Sequence, residues 1–180
     1  MAKTEATLQL ERSIYNVTKM IGTFGCFEVT IGFGGKERVD FMTYDTKGIW
    51  RCYEIKSSVQ DFRSKAKKTF CGHYNYFVLT KEVYDVVKDE VPSHIGIYIG
   101  GTLKKNPKKQ ELKVKEDVLK DSMIRSMYRE ASKIFDSKDE NLVASLKRRI
   151  GRLETENKGL NKRIRDANKE LLKYMTKGKK

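Results

Sequence analysis

Hydrophobic and polar positions change period along this chain, and each change predicts an element. Leu10, Ile14, Val17 and Ile21 recur at spacings of four, three and four, the period of an amphipathic helix ending near Gly22. Residues 26–33 switch to alternation, with Phe27, Val29 and Ile31 set against Glu28 and Thr30, which predicts a strand. Gly34-Gly35 turns the chain into a second strand over about 37–44, and a third covers 49–56. Ser58-Val59-Gln60-Asp61 is a variant capping box, with Asp61 in the Glu/Gln place, and opens a helix expected to run to about residue 70. A fourth strand is expected over 74–80, a short helix over 81–89 broken by Pro92, and a fifth strand over 94–99.

The middle strands are apolar on both faces, which suits a central sheet covered by helices. The expected fold is therefore α/β, ordered helix, three-strand meander, helix, strand, helix, strand, with a core of residues 1–101 closed by Gly100-Gly101. Residues 102–140 read as a lysine-rich linker followed by a helix over 116–135, striped by Val118, Leu119, Met123, Ile124, Met127 and Tyr128.

Residues 141–180 carry an unbroken heptad. Val143, Ile150, Asn157, Ile164 and Leu171 fall at a; Leu146, Leu153, Leu160, Ala167 and Tyr174 fall at d. β-branched residues at most a positions with Leu at the first three d positions favour a parallel two-stranded coiled coil, and Asn157 is the kind of central polar residue that fixes register. The expectation is a C-terminal coiled-coil tail that makes the chain a homodimer. The alternatives are a helix folded back on the domain and pairing with another protein.

Charge sharpens this picture. The net charge of +14 is concentrated in the tail, where residues 141–180 hold 13 basic and 4 acidic side chains, while residues 1–100 are only +2. Arg148, Arg152, Lys158, Lys162, Arg165 and Lys169 occupy outer heptad positions that dimerisation does not require. A basic surface of this kind suits a polyanion such as DNA, or solubility alone. No apolar run approaches a membrane span, and the N-terminus shows no signal-type apolar segment. Cys26, Cys52 and Cys71 have no metal-type spacing and read as core filler, which points to a cytoplasmic protein with reduced thiols.

The candidate chemistry lies at Asp40 and at Glu54-Ile55-Lys56. Glu54 and Lys56, two apart in a strand, share a face. Two carboxylates can hold a hard divalent cation, Mg2+ or Mn2+, that activates water and neutralises phosphate charge, while Lys56 stabilises developing charge. The same three side chains also suit a buried ion pair, with Asp40 held by Arg38 or Lys56. Register decides whether they meet. A three-residue loop at Thr46, Lys47 and Gly48 places Asp40 opposite Glu54; a two-residue loop at Lys47-Gly48 sends it to the other face.

With Arg38-Val39-Asp40 and Glu54-Ile55-Lys56 on adjacent strands, the chain resembles the PD-(D/E)XK nuclease superfamily. Glu28, Ser57 to Phe62, Tyr74 to Val78, Val91-Pro92 and Gly96-Ile97 extend the resemblance to the MmcB-like DNA-repair branch, over about residues 24–100. Val39 departs from the usual Pro before the Asp. The resemblance implies a restriction-endonuclease-like core and a metal-dependent DNA endonuclease acting in repair, recombination or restriction, or else an inactive nuclease-fold dimer that binds DNA or protein. Asp40, Glu54 and Lys56 are the catalytic candidates. Glu28 is either a further metal ligand or solvent-facing, and Glu11 is a weaker candidate for that place. Arg38, Gln60, Arg63, Lys65, Lys67 and Lys68 are candidates for contact with DNA.

Overall fold

A computed structural model describes residues 3–65 and 67–177, with side chains described through Lys169. The expected seam residues Leu171 and Tyr174 therefore lie outside the described side chains. The chain divides into two compact units, Met1–Arg129 and Glu130–Lys180.

The first unit is mixed α/β. Helix α1 (Glu5–Thr18) is followed by strands β1 (Thr23–Thr30), β2 (Arg38–Asp45) and β3 (Trp50–Lys56), a single helical turn α2 (Val59–Phe62), and strand β4 (Tyr74–Leu79). Helix α3 (Lys81–Val87), strands β5 (Gly96–Ile99) and β6 (Thr102–Lys105), and the greater part of helix α4 (Glu116–Asp136) follow. The six strands form one sheet in chain order. β1, β2 and β3 are an antiparallel meander; β3, β4 and β5 are parallel; β6 returns antiparallel.

Both faces of the sheet are buried, as its apolar strands require. On one face Leu10 and Ile14 of α1 cover Phe41, Tyr53, Ile55, Tyr76 and Val78. There an aromatic row crosses the sheet: Phe27 stacks on Phe41 at 4.3 Å, Phe41 meets Tyr53 at 5.5 Å, and Tyr53 stacks on Tyr76 at 5.0 Å. On the other face Leu119 and Met123 of α4 cover Cys26, Met42, Trp50 and Cys52, while Val83 and Val87 of α3 pack with Phe77 and Leu79. All three cysteines are buried as thiols, and the Cys52 and Cys71 sulfurs lie 3.6 Å apart.

The β2–β3 turn is the three-residue alternative. Asp45 N–H donates to Ile49 O (3.1 Å), Gly48 N–H donates to Asp45 O (2.9 Å), and Gly48 sits at φ 77°, where a side chain would be strained. The Asp45 carboxylate closes the loop by accepting from the Lys47 and Ile49 amides, both at 3.0 Å, and from Arg51 at 2.7 Å.

Several boundaries differ from the sequence expectation. The first helix ends at Thr18, whose hydroxyl donates to Ile14 O at 2.7 Å; Val17 and Ile21 are exposed, so only half of the stripe is buried. The helix expected through residue 70 stops at Phe62. Phe62 and Phe70 both pack on Phe77, at 4.9 and 5.1 Å, and a continuous helix would hold them ~12 Å apart along its axis. The first unit also extends past residue 101: β6 pairs with β5, and Leu119 and Met123 complete the core. The four polar and apolar residues of β6 were too few to show a strand period.

In the second unit, α5 (Glu140–Lys177) is one long helix, started by Asp139, whose carboxylate accepts from the Asn141 and Leu142 amides. Leu146, Ile150, Leu153, Leu160 and Ile164 are about half-exposed, an apolar stripe along the helix. Among the described residues no helix is long and apolar enough to cross a membrane.

The turn carries a stability prediction. Asp45→Ala removes one carboxylate and three of its donors' partners, and is expected to lower unfolding free energy by ~2–3 kcal/mol in urea titrations. Thr46→Ala, beside it in the same loop, is expected to change it by less than ~0.5 kcal/mol. Equal effects of the two variants would show that the Asp45 bonds do not hold the turn.

Candidate active site

The site is built where β2 and β3 part. Their pairing ends at Phe41↔Tyr53, and the same register carried one step further sets Asp40 opposite Glu54. There the ladder opens. The Ile55 amide donates to Asp40 Oδ2 (2.9 Å), so a carboxylate takes a bond that regular pairing would give to backbone. Glu54, 2% exposed, accepts the Thr69 amide at Oε1 (3.1 Å). Lys56 follows on the same face. Its Nζ lies 3.4 Å from Asp40 Oδ2, 3.5 Å from Glu54 Oε2 and 3.9 Å from Asp61 Oδ2. One ammonium thus stands between two carboxylates that arrive from different strands, with a third nearby.

The electrostatics are unbalanced towards negative charge. Burial, and then the neighbouring Asp40 carboxylate, push the Glu54 pKa up to about 7 despite Lys56 and the Thr69 amide. Burial opposes the charge on Lys56 as well, but Asp40, Glu54 and Asp61 together outweigh it and hold that pKa above its ordinary value. Close to neutral pH the site therefore has room for more positive charge than Lys56 supplies.

These groups open into a cleft of about 620 Å³ that also receives Thr7 and Glu11 from α1, Glu28 and Thr30 from β1, and Gly35, Lys36, Glu37 and Arg38 around the β1–β2 loop. At its far end Lys3 pairs with Glu11 (2.6 Å) and Glu28 (2.8 Å), and Arg38 lies 3.6 Å from Glu28. The Lys3 hydrogen bond holds the Glu28 pKa below the usual carboxylate range. Glu28 has φ 54°, left-handed backbone in the middle of a strand, which costs about 1–3 kcal/mol for a residue other than Gly. It lies across from Asp40, between the Phe27↔Phe41 and Val29↔Val39 pairs.

The expected residues divide into four groups. Asp40, Glu54 and Lys56 converge, and Asp61, read from sequence as a helix-start residue, joins them while Ser58 Oγ caps its amide at 3.1 Å. Glu28, Arg38 and Lys67 line the same cleft, but Glu28 is engaged by Lys3 and Arg38, and Lys67 pairs with Glu37. Arg63 and Lys68 do not face it: they border a separate hollow near Phe77, Arg63 pairs with Glu90, and Lys68 lies over the Phe62 ring. The early end of α2 turns these two away. Gln60 and Lys65 are exposed and do not line the cleft. The roles of Lys3 and the Thr69 amide had no signal in the sequence, because each depends on a contact made far along the chain.

Among the described residues no three His, Cys, Asp or Glu side chains are grouped closely enough to hold a metal ion, so Glu28 does not complete a three-acid shell here. The donors present nonetheless fit a hard divalent cation. They are oxygen-only, they are short of positive charge, and Mg2+ characteristically binds through one or two carboxylates while keeping several waters. Asp40 and Glu54 would hold it.

No family model and no curated protein matches the chain. Among solved structures, a protein of unknown function from Silicibacter pomeroyi is similar, with a TM-score of 0.62 over 77% of this chain and 97% of that one at 19% identity. The likeness shows a shared fold.

The raised pKa of Glu54 has a testable sign. The folded protein holds that proton more tightly than the unfolded chain, so the contribution of Glu54 to stability falls as pH rises from about 4.5 to about 7. Glu54→Gln keeps an acceptor for the Thr69 amide without the buried charge. It is expected to be more stable than wild type by up to ~3 kcal/mol near pH 8 and about equal near pH 4.5, read from urea midpoints. The same stability difference at both pH values would contradict a buried, proton-holding Glu54.

Proposed function

We propose that the chain is a metal-dependent DNA endonuclease of the PD-(D/E)XK type, built on a restriction-endonuclease-like core. The observation that carries this reading is the meeting of Asp40, Glu54 and Lys56 at the point where β2 and β3 separate. The motif resemblance over residues 24–100 supports it, as does a cleft large enough to admit a phosphodiester backbone.

A bound Mg2+ or Mn2+ would lower the pKa of water and neutralise charge on the phosphate. The chain's own residues do the remainder. The Ile55 amide fixes Asp40 and the Thr69 amide fixes Glu54, so both carboxylates are aimed before substrate arrives. Lys56, held charged by its acidic neighbours, is placed to orient the attacking water or stabilise the phosphorane-like charge that develops. Lys36 and Arg38 on the cleft wall would meet backbone phosphates.

The unpartnered seam of α5 supports a parallel homodimer, with Asn157 at the central a position. Two heads on one coiled coil suit cutting both strands. The same Lys56 also bridges the two carboxylates without a metal, which favours a DNA-binding, non-cleaving protein as the second reading.

Incubation with supercoiled, linear and branched DNA in Mg2+, Mn2+ or EDTA tests the reading. Cleavage is expected with either metal and none in EDTA. Asp40→Asn and Glu54→Gln are expected to lose at least ~100-fold in rate, and Lys56→Gln ~100–1000-fold, with DNA binding retained. Binding without cleavage under every metal condition would leave the second reading. Sedimentation should give a dimer for the full chain and a monomer after removal of residues 140–180; a monomeric full chain at micromolar concentration would exclude the tail as a dimerisation element.

A further inference from the structure

A second cavity, about 430 Å³, lies beside the cleft and is walled by Gly32, Phe33, Val118, Asp121, Ile124 and Arg125. It shares the β1–β2 loop with the cleft. Gly32 and Phe33 face the cavity, whereas Gly35 and Lys36 line the cleft. The Cα atoms of Phe33 and Gly35 can be at most ~7 Å apart. A strand lying in the cleft therefore passes within reach of both.

The loop is constructed to present Phe33. Gly32 and Gly34, at φ 75° and 67°, both adopt left-handed backbone, and between them they turn the ring outward, leaving it 95% exposed. The loop is also anchored. Gly32 N–H donates to Ser122 Oγ (3.0 Å) on α4, where Ser122 is fully buried, and Ile31 N–H donates to Glu37 O (2.9 Å) across the base of the loop. Arg125 holds its guanidinium 5.4 Å from the Phe33 ring centre. The result is an aromatic platform on a fixed loop, bordered by one cationic and one anionic side chain and backed by aliphatic groups.

That chemistry fits a nucleobase. A base offers a flat apolar face for stacking and donors and acceptors at its edge, which Phe33, Arg125 and Asp121 match. A phosphate subsite would gather positive charge and amides, and Asp121 argues against it. A base inside a duplex has both faces covered by its neighbours, so only an unpaired base can stack on Phe33. Resting on the nuclease reading above, we propose that this pocket receives an unpaired nucleobase of the DNA strand in the cleft. The substrate is then DNA with a single-stranded, flapped or otherwise unpaired segment beside the cut.

The test uses the full chain in EDTA, where DNA stays intact, with a fluorescein-labelled 20-nucleotide oligothymidylate and a 20-base-pair duplex as probes. Phe33→Ala is expected to weaken binding of the oligothymidylate at least ten-fold and of the duplex less than two-fold. Phe33→Trp is expected to bind both as wild type does, and its tryptophan emission to be quenched by the oligothymidylate far more than by the duplex. Thermal melts should match wild type for both variants, since the ring is exposed. Wild-type affinity of Phe33→Ala for both probes, or equal losses on both, would overturn the pocket while leaving the nuclease reading intact. So would an unquenched Phe33→Trp, the outcome expected if the pocket takes a protein side chain. Failure of the wild-type chain to bind either DNA would overturn both.

Discussion

Everything in the first unit depends on the register between β2 and β3. Asp45, Gly48 and Ile49 close a three-residue turn, and that count sets Phe41 against Tyr53. Two rows follow, one residue apart. The aromatic row from Phe27 through Phe41 and Tyr53 to Tyr76 is buried under α1. The next positions along are Glu28, Asp40 and Glu54. A slip of one residue would turn the aromatic side chains to the opposite face, away from α1, so the packing that stabilises the sheet also fixes where the acids stand. Position of the candidate chemistry is thereby paid for by hydrophobic burial.

The acids stay together because backbone and ammonium groups hold them against their own repulsion. Amides of Ile55 and Thr69 each bind one carboxylate, and Lys56 lies between them. Burial first, and then the neighbouring Asp40 carboxylate, still push the Glu54 pKa up to about 7. Such an arrangement is costly for a purely structural ion pair, where a buried apolar substitute is often as stable. It suits a site whose charge is balanced by something it binds. The left-handed Glu28 opposite Asp40 is a second local cost at the same place.

The sequence showed the parts of this unit that local pattern controls. The meander, the Ser58 cap and the two possible turn lengths were all readable, because alternation, capping chemistry and loop glycine are local signals. Choosing between the turn lengths needed Asp45, which accepts from Lys47, Ile49 and Arg51 but whose residue type does not specify a count. The end of α2 was hidden, since it follows from Phe62 and Phe70 competing for the same ring of Phe77. The place of α4 in the core was hidden too: its stripe pointed to burial, but not to burial against Cys26 and Met42. Arg63 and Lys68 reach the cleft only on a long α2; the short one turns them towards Glu90 and the Phe62 ring. The heptad of α5 was legible because it is a local period, and its described residues run along one continuous helix.

The most direct test of the central claim is calorimetric titration of the full chain with Mn2+, repeated on Asp40→Asn. If Asp40 and Glu54 form a cation site, wild type binds Mn2+ in its head with affinity that falls as pH drops below about 7, where Glu54 regains its proton, and Asp40→Asn loses that binding. Binding that is absent in wild type, or unchanged in Asp40→Asn, would contradict the account and leave Lys56 as a purely structural counter-ion.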